Sequence, residues 1–162
     1  MAIIYCDMDG VLADFKTAAV RTTGMSINKW MNIPSSKEEW SLIKQKKDFW
    51  STLPWMPGGR QLWSYISKFD PHILSAYVEE SFDPNCIPGK TAWLRKNTGL
   101  SNRSKINLVR RKDKKLFAKR GKPSILIDDY EKNVRDFINA GGQAIHHTNT
   151  SKTISQLKRL GF

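Results

Sequence analysis

The segment YCDMDGVLA, residues 5–13, places two acidic side chains directly after an apolar run. Alternate side chains of an extended chain point the same way, so Asp7 and Asp9 would lie on one side of the backbone. Buried carboxylates so close together repel each other, and a cation, a proton or a bound substrate must offset that repulsion. Gly10 lets the backbone turn sharply and leaves amides available to an anion. The segment therefore predicts a strand that ends at a charged site.

Five short apolar segments predict β-strands, at residues 2–6, 72–76, 105–109, 124–127 and 143–147. Helical patterns lie between most of them, at residues 58–69, 90–99, 131–142 and 150–160. Strands that alternate with helices favour parallel pairing, right-handed crossovers and a sheet covered on both faces. The pattern therefore predicts an α/β fold with a Rossmann-like, five-stranded parallel sheet flanked by helices.

One stretch interrupts this alternation, because residues 24–57 follow the first strand–helix unit without a strand of their own. The stretch carries four of the six tryptophans and the sequence SSKEEW, which is typical of a helix start with a capping box. We interpret it as a small helical cap inserted into a single domain that covers residues 1–162.

Composition predicts a soluble, cytoplasmic protein. No apolar run approaches the roughly 18 residues of a membrane span, and the start MAIIYCD lacks the pattern of a secretory signal. Cys6 and Cys86 are too few for a disulfide framework or a zinc site, which indicates reduced thiols. The net charge of +12 favours anionic ligands, and the basic stretch 103–122 could hold nucleic acid or simply form a solvated helix face.

Polar residues follow four of the predicted strands. Asp7 and Asp9 follow the first, Ser75 ends the second, lysines and arginines follow the third, and Asp128 and Asp129 follow the fourth. The carboxyl ends of parallel strands meet at one edge of a sheet, so these groups are expected to share a crevice. Carboxylates without histidine or thiolate partners are hard oxygen ligands, which suit Mg²⁺.

The motifs DMDGVLADF, LSA, a downstream lysine and ILIDD, in this order, resemble those of the haloacid dehalogenase-like (HAD) phosphatases. The passage FW…LPWMPGG and the K-x-x-W of GKTAWL are similar to the 5'(3')-deoxyribonucleotidases and their phage relatives. The resemblance covers nearly the whole chain. It implies a Mg²⁺-dependent phosphatase that hydrolyses (deoxy)nucleoside monophosphates through an aspartyl-phosphate.

The resemblance also implies roles for individual residues. Asp7 would be the nucleophile, and Asp9 would protonate the leaving oxygen and then activate water. Mg²⁺ would be bound by Asp7, Asp128 and the backbone carbonyl of Asp9. The phosphate would be contacted by Ser75, by its neighbour Ala76 and by the loop at Gly10.

Which lysine contacts the phosphate stays open among Lys112, Lys114 and Lys115, and the resemblance favours Lys114. Lys90 would supply a supporting contact. The resemblance further implies that a base stacks on an aromatic cluster of Phe15, Phe49 and Trp50, although these rings could equally fill the core of the cap. Asp129 could ligate the metal or act beside it.

Three alternative functions remain. The basic charge would suit a 3'-phosphatase that acts on nucleic-acid ends. A noncatalytic phospho-acceptor also combines aspartates, a hydroxyl and a lysine on a parallel sheet, but it carries its acceptor on a middle strand. A nucleic-acid-binding module would leave the acids unused. Relatives in the resembled family are often dimers, so a homodimer is a further expectation.

Overall fold

The computed structural model describes residues 2–119 and 122–162. Its backbone contacts form two compact units. The first contains the described parts of Met1–Ala13, Trp55–Ala76 and Asn102–Phe162, and the second contains Asp14–Pro54 and Tyr77–Ser101. The predicted insertion at residues 24–57 lies in the second unit as far as residue 54, and that unit also takes in residues 14–23 and 77–101.

The first unit contains the predicted five-stranded sheet. Its strands are β1 (Ile3–Cys6), β2 (His72–Ala76), β3 (Ile106–Val109), β4 (Ser124–Asp128) and β5 (Gln143–His146). All four pairings are parallel and the strand order is β3-β2-β1-β4-β5. The Rossmann-like α/β prediction is therefore confirmed.

Alternation along the strands builds the core of this unit. Tyr5, Leu74 and Leu126 lie on one face of the sheet and pack with Phe117 and Phe137. The helices of the unit are α4 (Gly59–Ile66), α6 (Glu131–Asn139) and α7 (Thr150–Arg159). Shorter 3₁₀ turns occur at Ser67–Phe69 and Arg103–Lys105, and a longer one, which we call the 3₁₀ segment, runs over Arg111–Lys119.

The strand order reverses next to β1. The chain steps outward from β1 to β2 and β3, then returns to place β4 on the other side of β1. Ligands of open parallel sheets bind outside the carboxyl ends of the strands at such a reversal. A ligand-binding site is therefore expected at the residues that directly follow β1 and at those that end β4.

The second unit is helical. It contains α1 (Phe15–Thr23), α2 (Ile27–Met31), α3 (Ser36–Gln45), α5 (Cys86–Thr98) and a 3₁₀ turn at Trp50–Thr52. The Ser35 side chain accepts a hydrogen bond from the Glu38 N–H, so the helix start predicted in SSKEEW is present. A helix was predicted to begin at Lys90, but α5 begins four residues earlier, at Cys86. Pro88 is compatible with this earlier start because it stands in the first turn, where a missing N–H is tolerated. Within the described chain, every helix is too short or too polar to cross a bilayer.

Candidate active site

Asp7 and Asp128 lie side by side at the strand-order reversal. Strand β1 pairs with β4 in the register Cys6 to Ile127, and the Asp7 N–H donates to the Ile127 carbonyl at 2.9 Å. One carboxylate oxygen from each of Asp7, Asp128 and Asp129 lies within 4.8 Å of the others. Backbone pairing of two neighbouring strands thus brings together acids that are more than a hundred residues apart in sequence.

A buried lysine joins two of these acids. Lys114 Nζ lies 2.8 Å from Asp128 Oδ2 and 3.2 Å from Asp7 Oδ1, and its side chain is 3% exposed. Lys112 and Lys115, the other two candidates, are exposed. Residues three apart share a face of a 3₁₀ helix, so Lys114 points inward with the buried Phe117. The structure places Lys114 at the acids, and its contact with a phosphate stays a prediction.

Asp128 is held by further hydrogen bonds that the sequence did not indicate. The Asn133 side-chain amide donates to Asp128 Oδ2 at 3.0 Å, and the Tyr130 N–H donates to Oδ1 at 2.9 Å. The His147 N–H donates to the Asp128 carbonyl at 2.8 Å. A short polar residue five positions after an acid, in the first turn of a helix, is the only local signal that could have marked Asn133.

The carboxylates are strongly perturbed by burial. Burial, followed by the charge of Asp7, raises the pKa of Asp128 to about 6. Burial, followed by the charges of Asp7 and Asp128, raises the pKa of Asp129 to about 7. Burial alone would lower the pKa of Lys114, but attraction to Asp7 and Asp128 outweighs it and raises that pKa above the ordinary value.

Asp129 packs directly against the Gly10 backbone. A Cβ built at Gly10 would lie 2.0 Å from Asp129 Oδ2, and Gly10 has a φ of +80°. The glycine is therefore required both by its left-handed conformation and by the approach of this carboxylate. The carbonyl of Asp129 in turn lies 3.0 Å from the Nε2 atom of His146.

These residues fit a divalent metal ion. The ionised side chains of Asp7, Asp128 and Asp129 carry three negative charges against one positive charge on Lys114, which leaves two negative charges uncompensated. Carboxylate oxygens are the ligands that Mg²⁺ prefers, and a dication would offset the repulsion among the three carboxylates. Asp7, Asp128 and Asp129 could therefore hold Mg²⁺.

The remaining predicted residues of the first unit lie at the same edge. Ser75 is 1% exposed and Ala76 ends β2. Asp9 is half-buried in a tight loop in which the Met8 carbonyl accepts hydrogen bonds from three successive N–H groups, those of Val11, Leu12 and Ala13. The carboxylate of Asp9 is not part of the cluster of Asp7, Asp128 and Asp129. Asp9 was predicted to bind the metal through its backbone carbonyl, and that remains a prediction.

Cys6, which directly precedes Asp7, is poorly suited to nucleophilic chemistry. Burial, followed by the charges of Asp7 and Asp128, raises the pKa of its thiol well above the ordinary value. A protonated thiol is a weak nucleophile, so the carboxylate of Asp7 is the better candidate for a reactive group at this strand end. The thiols of Cys6 and Cys86 are both buried and form no disulfide bond.

The predicted base-stacking residues lie in the second unit, within one aromatic cluster. Phe15 stacks on Trp50 with ring centroids 5.4 Å apart, and Phe49 meets both rings edge to face. Phe49 is 1% exposed and Trp50 is 2% exposed, so both pack in the core of the unit, whereas Phe15 is half-buried. The contact of these rings with a base stays a prediction.

Lys90 and Asp83 are buried beside Trp50 in the same unit. Lys90 Nζ lies 5.3 Å from the centre of the Trp50 ring, and the Trp50 indole N–H donates to Asp83 Oδ2 at 2.7 Å. Asp83 also accepts two hydrogen bonds from Asn85. No motif surrounds Asp83 that would have marked it from the sequence.

No protein-family model and no curated protein matches the sequence. Solved structures do match. L-2-haloacid dehalogenase from Xanthobacter autotrophicus superposes with a TM-score of 0.59 at 13% identity, over 100% of this chain and 84% of that one. A hydrolase from Streptococcus pneumoniae gives 0.55 at 11% identity, over 96% and 97% of the two chains.

A third match carries ligands. A HAD family enzyme from Bacteroides thetaiotaomicron, solved with magnesium and inorganic phosphate, superposes with a TM-score of 0.53 at 14% identity, over 97% of this chain and 98% of that one. Identities this low establish a common fold and leave the reaction to be argued from the site. The chain thus has the fold of the HAD hydrolases.

Proposed function

We propose that this protein is a Mg²⁺-dependent phosphatase that hydrolyses (deoxy)nucleoside monophosphates through an aspartyl-phosphate at Asp7. The observation that carries the proposal is the buried group of Asp7, Lys114, Asp128 and Asp129 at the strand-order reversal. It combines a carboxylate nucleophile, a fixed cation and oxygen ligands for a metal. Phosphoryl transfer needs these parts and little else.

In the first step, a carboxylate oxygen of Asp7 attacks the phosphorus and the bond to the leaving oxygen breaks. Asp7 Oδ1 already accepts the Met8 N–H at 2.8 Å and faces Lys114, so we assign the attack to Oδ2. Asp9 gives its proton to the leaving nucleoside oxygen. Lys114 would neutralise charge on the transferring group.

In the second step, a water oxygen attacks the phosphorus of the aspartyl-phosphate. Asp9, now ionised, takes the proton of that water, the bond to Asp7 breaks, and inorganic phosphate leaves. Ser75, at the end of β2, would donate a hydrogen bond to the phosphate. A bound Mg²⁺ would supply charge neutralisation for the phosphate oxygens.

The nucleotide part of the proposal is supported by the sequence motifs and by the second unit. The passages FW…LPWMPGG and GKTAWL are similar to those of the deoxyribonucleotidases. Phe15 contacts four other rings of the aromatic cluster and is only half-buried, so the part of it that stays accessible would suit stacking on a base.

The proposal is tested by a screen for phosphate release over all ribo- and deoxyribonucleoside monophosphates, with Mg²⁺ and with EDTA. We expect Mg²⁺-dependent release from at least one 5'- or 3'-monophosphate. A 2-haloacid serves as a control substrate, because a superposing structure is a haloacid dehalogenase. Halide release without any phosphate release would refute the proposal.

Substituting the nucleophile tests the mechanism. Asp7→Asn should abolish turnover, by a factor of at least about 10⁴, while the fold is kept, because the amide oxygen can still accept the Met8 N–H. Asp70→Asn makes the same change at the surface, just before β2, and should be silent. Asp9→Asn should accumulate protein heavier by one phosphoryl group in mass spectra. Full activity in Asp7→Asn would exclude Asp7 as nucleophile.

A further inference from the structure

A basic groove leads away from the candidate site along the first unit. It runs between the 3₁₀ segment and α6, two elements that begin at the site and pack side by side. An open cleft of about 530 Å³ between them is lined by Lys115, Leu116, Lys119, Asp136, Asn139 and Ala140. We call this cleft, together with Arg111 and Tyr130 at its site end, the basic seam.

The site end of the seam is an aromatic ring paired with a cation. The Arg111 guanidinium carbon lies 4.9 Å from the centre of the Tyr130 ring, and both residues are exposed. The pair adjoins the acids, because Tyr130 follows Asp129 and its N–H donates to Asp128. Arg111 precedes Lys114 by one turn of the 3₁₀ segment. A chain bound at Arg111 and Tyr130 would thus reach the nucleophile.

The charge along the seam is predominantly positive. The seam itself carries the cations Arg111, Lys115 and Lys119 against one acid, Asp136. Elsewhere on the same two elements lie Lys112, Lys132 and Arg135, against Asp113 and Glu131. Lys132 pairs with Asp136 at 2.6 Å. Nine residues of 3₁₀ helix at about 2 Å each span roughly 18 Å, which covers several phosphate spacings of a nucleic-acid strand.

We infer that the basic seam binds a single-stranded oligonucleotide whose terminal phosphate enters the candidate site. The inference rests on the proposed phosphatase activity and extends its substrate class from mononucleotides to strand ends. Single strands are held by cations that follow the backbone and by aromatic rings on which bases stack. Lys115 and Lys119 supply the cations, and Tyr130 supplies a ring beside the site. An acidic peptide would satisfy the cations but offers no base to stack on that ring.

The test is a binding titration with a fluorescent single-stranded decanucleotide in the Asp7→Asn background, which stops hydrolysis. Arg111→Gln and Tyr130→Ala should each weaken binding on the order of ten-fold, and Tyr130→Phe should restore it. Arg111→Gln and Lys115→Gln should each also reduce the slope of log affinity against log salt by about 0.7. Strands with a 3'-phosphate, a 5'-phosphate or no phosphate identify the preferred end.

Lys158→Gln is the matched control, because Lys158 is exposed and lies on α7, which is not one of the two elements of the seam. It should leave binding unchanged. Equal weakening by Lys158→Gln and Arg111→Gln would overturn the inference in favour of diffuse attraction. Equal affinity for polyglutamate or for phosphatidylserine vesicles, with the same response to the variants, would overturn it as well.

The outcome separates this inference from the proposed function. Phosphate release from mononucleotides by the wild-type protein, without specific strand binding, would refute strand binding at the seam but would support the proposed phosphatase activity. Strand binding that depends on Arg111 and Tyr130, without any phosphate release, would support strand binding at the seam but would refute the proposed phosphatase activity.

Discussion

At the scale of the residue, Gly10 and Asp129 form a contact that positions the Asp129 carboxylate beside Asp7 and Asp128. Asp129 lies against the Gly10 Cα, where any side chain would displace its carboxylate. An aspartate side chain is short, so its carboxylate cannot move aside and still face Asp7 and Asp128. Gly10, which has no functional side chain, therefore determines where a candidate metal ligand lies.

Gly10→Ala should reduce activity and Mg²⁺ affinity by more than its loss of folding stability explains. The left-handed φ of +80° alone costs an alanine about 1–2 kcal/mol. The displaced Asp129 carboxylate adds a loss of metal affinity, which titration calorimetry with Mg²⁺ measures.

Gly24→Ala is the control for this prediction. Gly24 has a similar φ of +71°, but a Cβ there meets nothing within 4 Å. It should show only the backbone cost, seen as a lower free energy of unfolding at unchanged Mg²⁺ affinity. Equal Mg²⁺ affinity in the two variants would contradict the role given to the Gly10 contact.

At the scale of the element, helix α6 is attached to β4 by a hydrogen bond between side chains. Asn133 lies in the first half of α6, is buried, and donates to the same Asp128 oxygen that Lys114 contacts. The helix and the 3₁₀ segment thus converge on one carboxylate. Their packing sets the position of the acid as well as the hydrophobic core behind it.

Asn133→Ala should lower the free energy of unfolding by about 1.5–3 kcal/mol, the usual contribution of a hydrogen bond to a charged group. Urea denaturation measures this change. Asn139→Ala, an exposed position on the same helix, should stay within about 0.5 kcal/mol of the wild type. A loss at residue 133 no larger than at residue 139 would show that the hydrogen bond does not anchor α6.

At the scale of the whole molecule, stability should depend on pH through the buried acids. Burial raises the pKa of Asp129 to about 7, above its ordinary value of 3.8. The folded state therefore binds this proton more tightly than the unfolded state, so the contribution is complete below about pH 4 and is lost as pH rises through 7. Metal-free protein should become less stable over this window.

Thermal melts of the wild type and Asp129→Asn in EDTA, at about pH 5 and pH 8, check this effect. The Tm of the wild type should fall relative to the variant as pH rises. The comparison cancels His72 and His147, whose pKa values are lowered by burial and whose contributions change in the opposite direction. Parallel profiles for the two proteins would show that Asp129 is not perturbed.

Adding Mg²⁺ should restore stability to the wild type, and more at pH 8 than at pH 5, because protons compete with the metal for carboxylates. Saturation at about 100 times the dissociation constant corresponds to about 2.7 kcal/mol. Asp129→Asn should gain less, since it lacks one of the three clustered carboxylates.

The sequence by itself determined the sheet and the location of its charged edge. Strand bounds differ by at most one residue from those predicted, because short apolar runs and the polar residues that bound them are local signals. Asp7, Ser75 and Asp128 could be assigned to the site on the same basis. Parallel strands necessarily bring their carboxyl ends to a common edge.

Only the tertiary structure decided which neighbouring groups meet there. Lys112, Lys114 and Lys115 are alike in sequence, and the phase of the 3₁₀ segment buries Lys114 alone among them. Packing likewise places Asp129 against Gly10 and the Asn133 side-chain amide on Asp128. The formation of such contacts depends on packing geometry, which no local sequence pattern encodes.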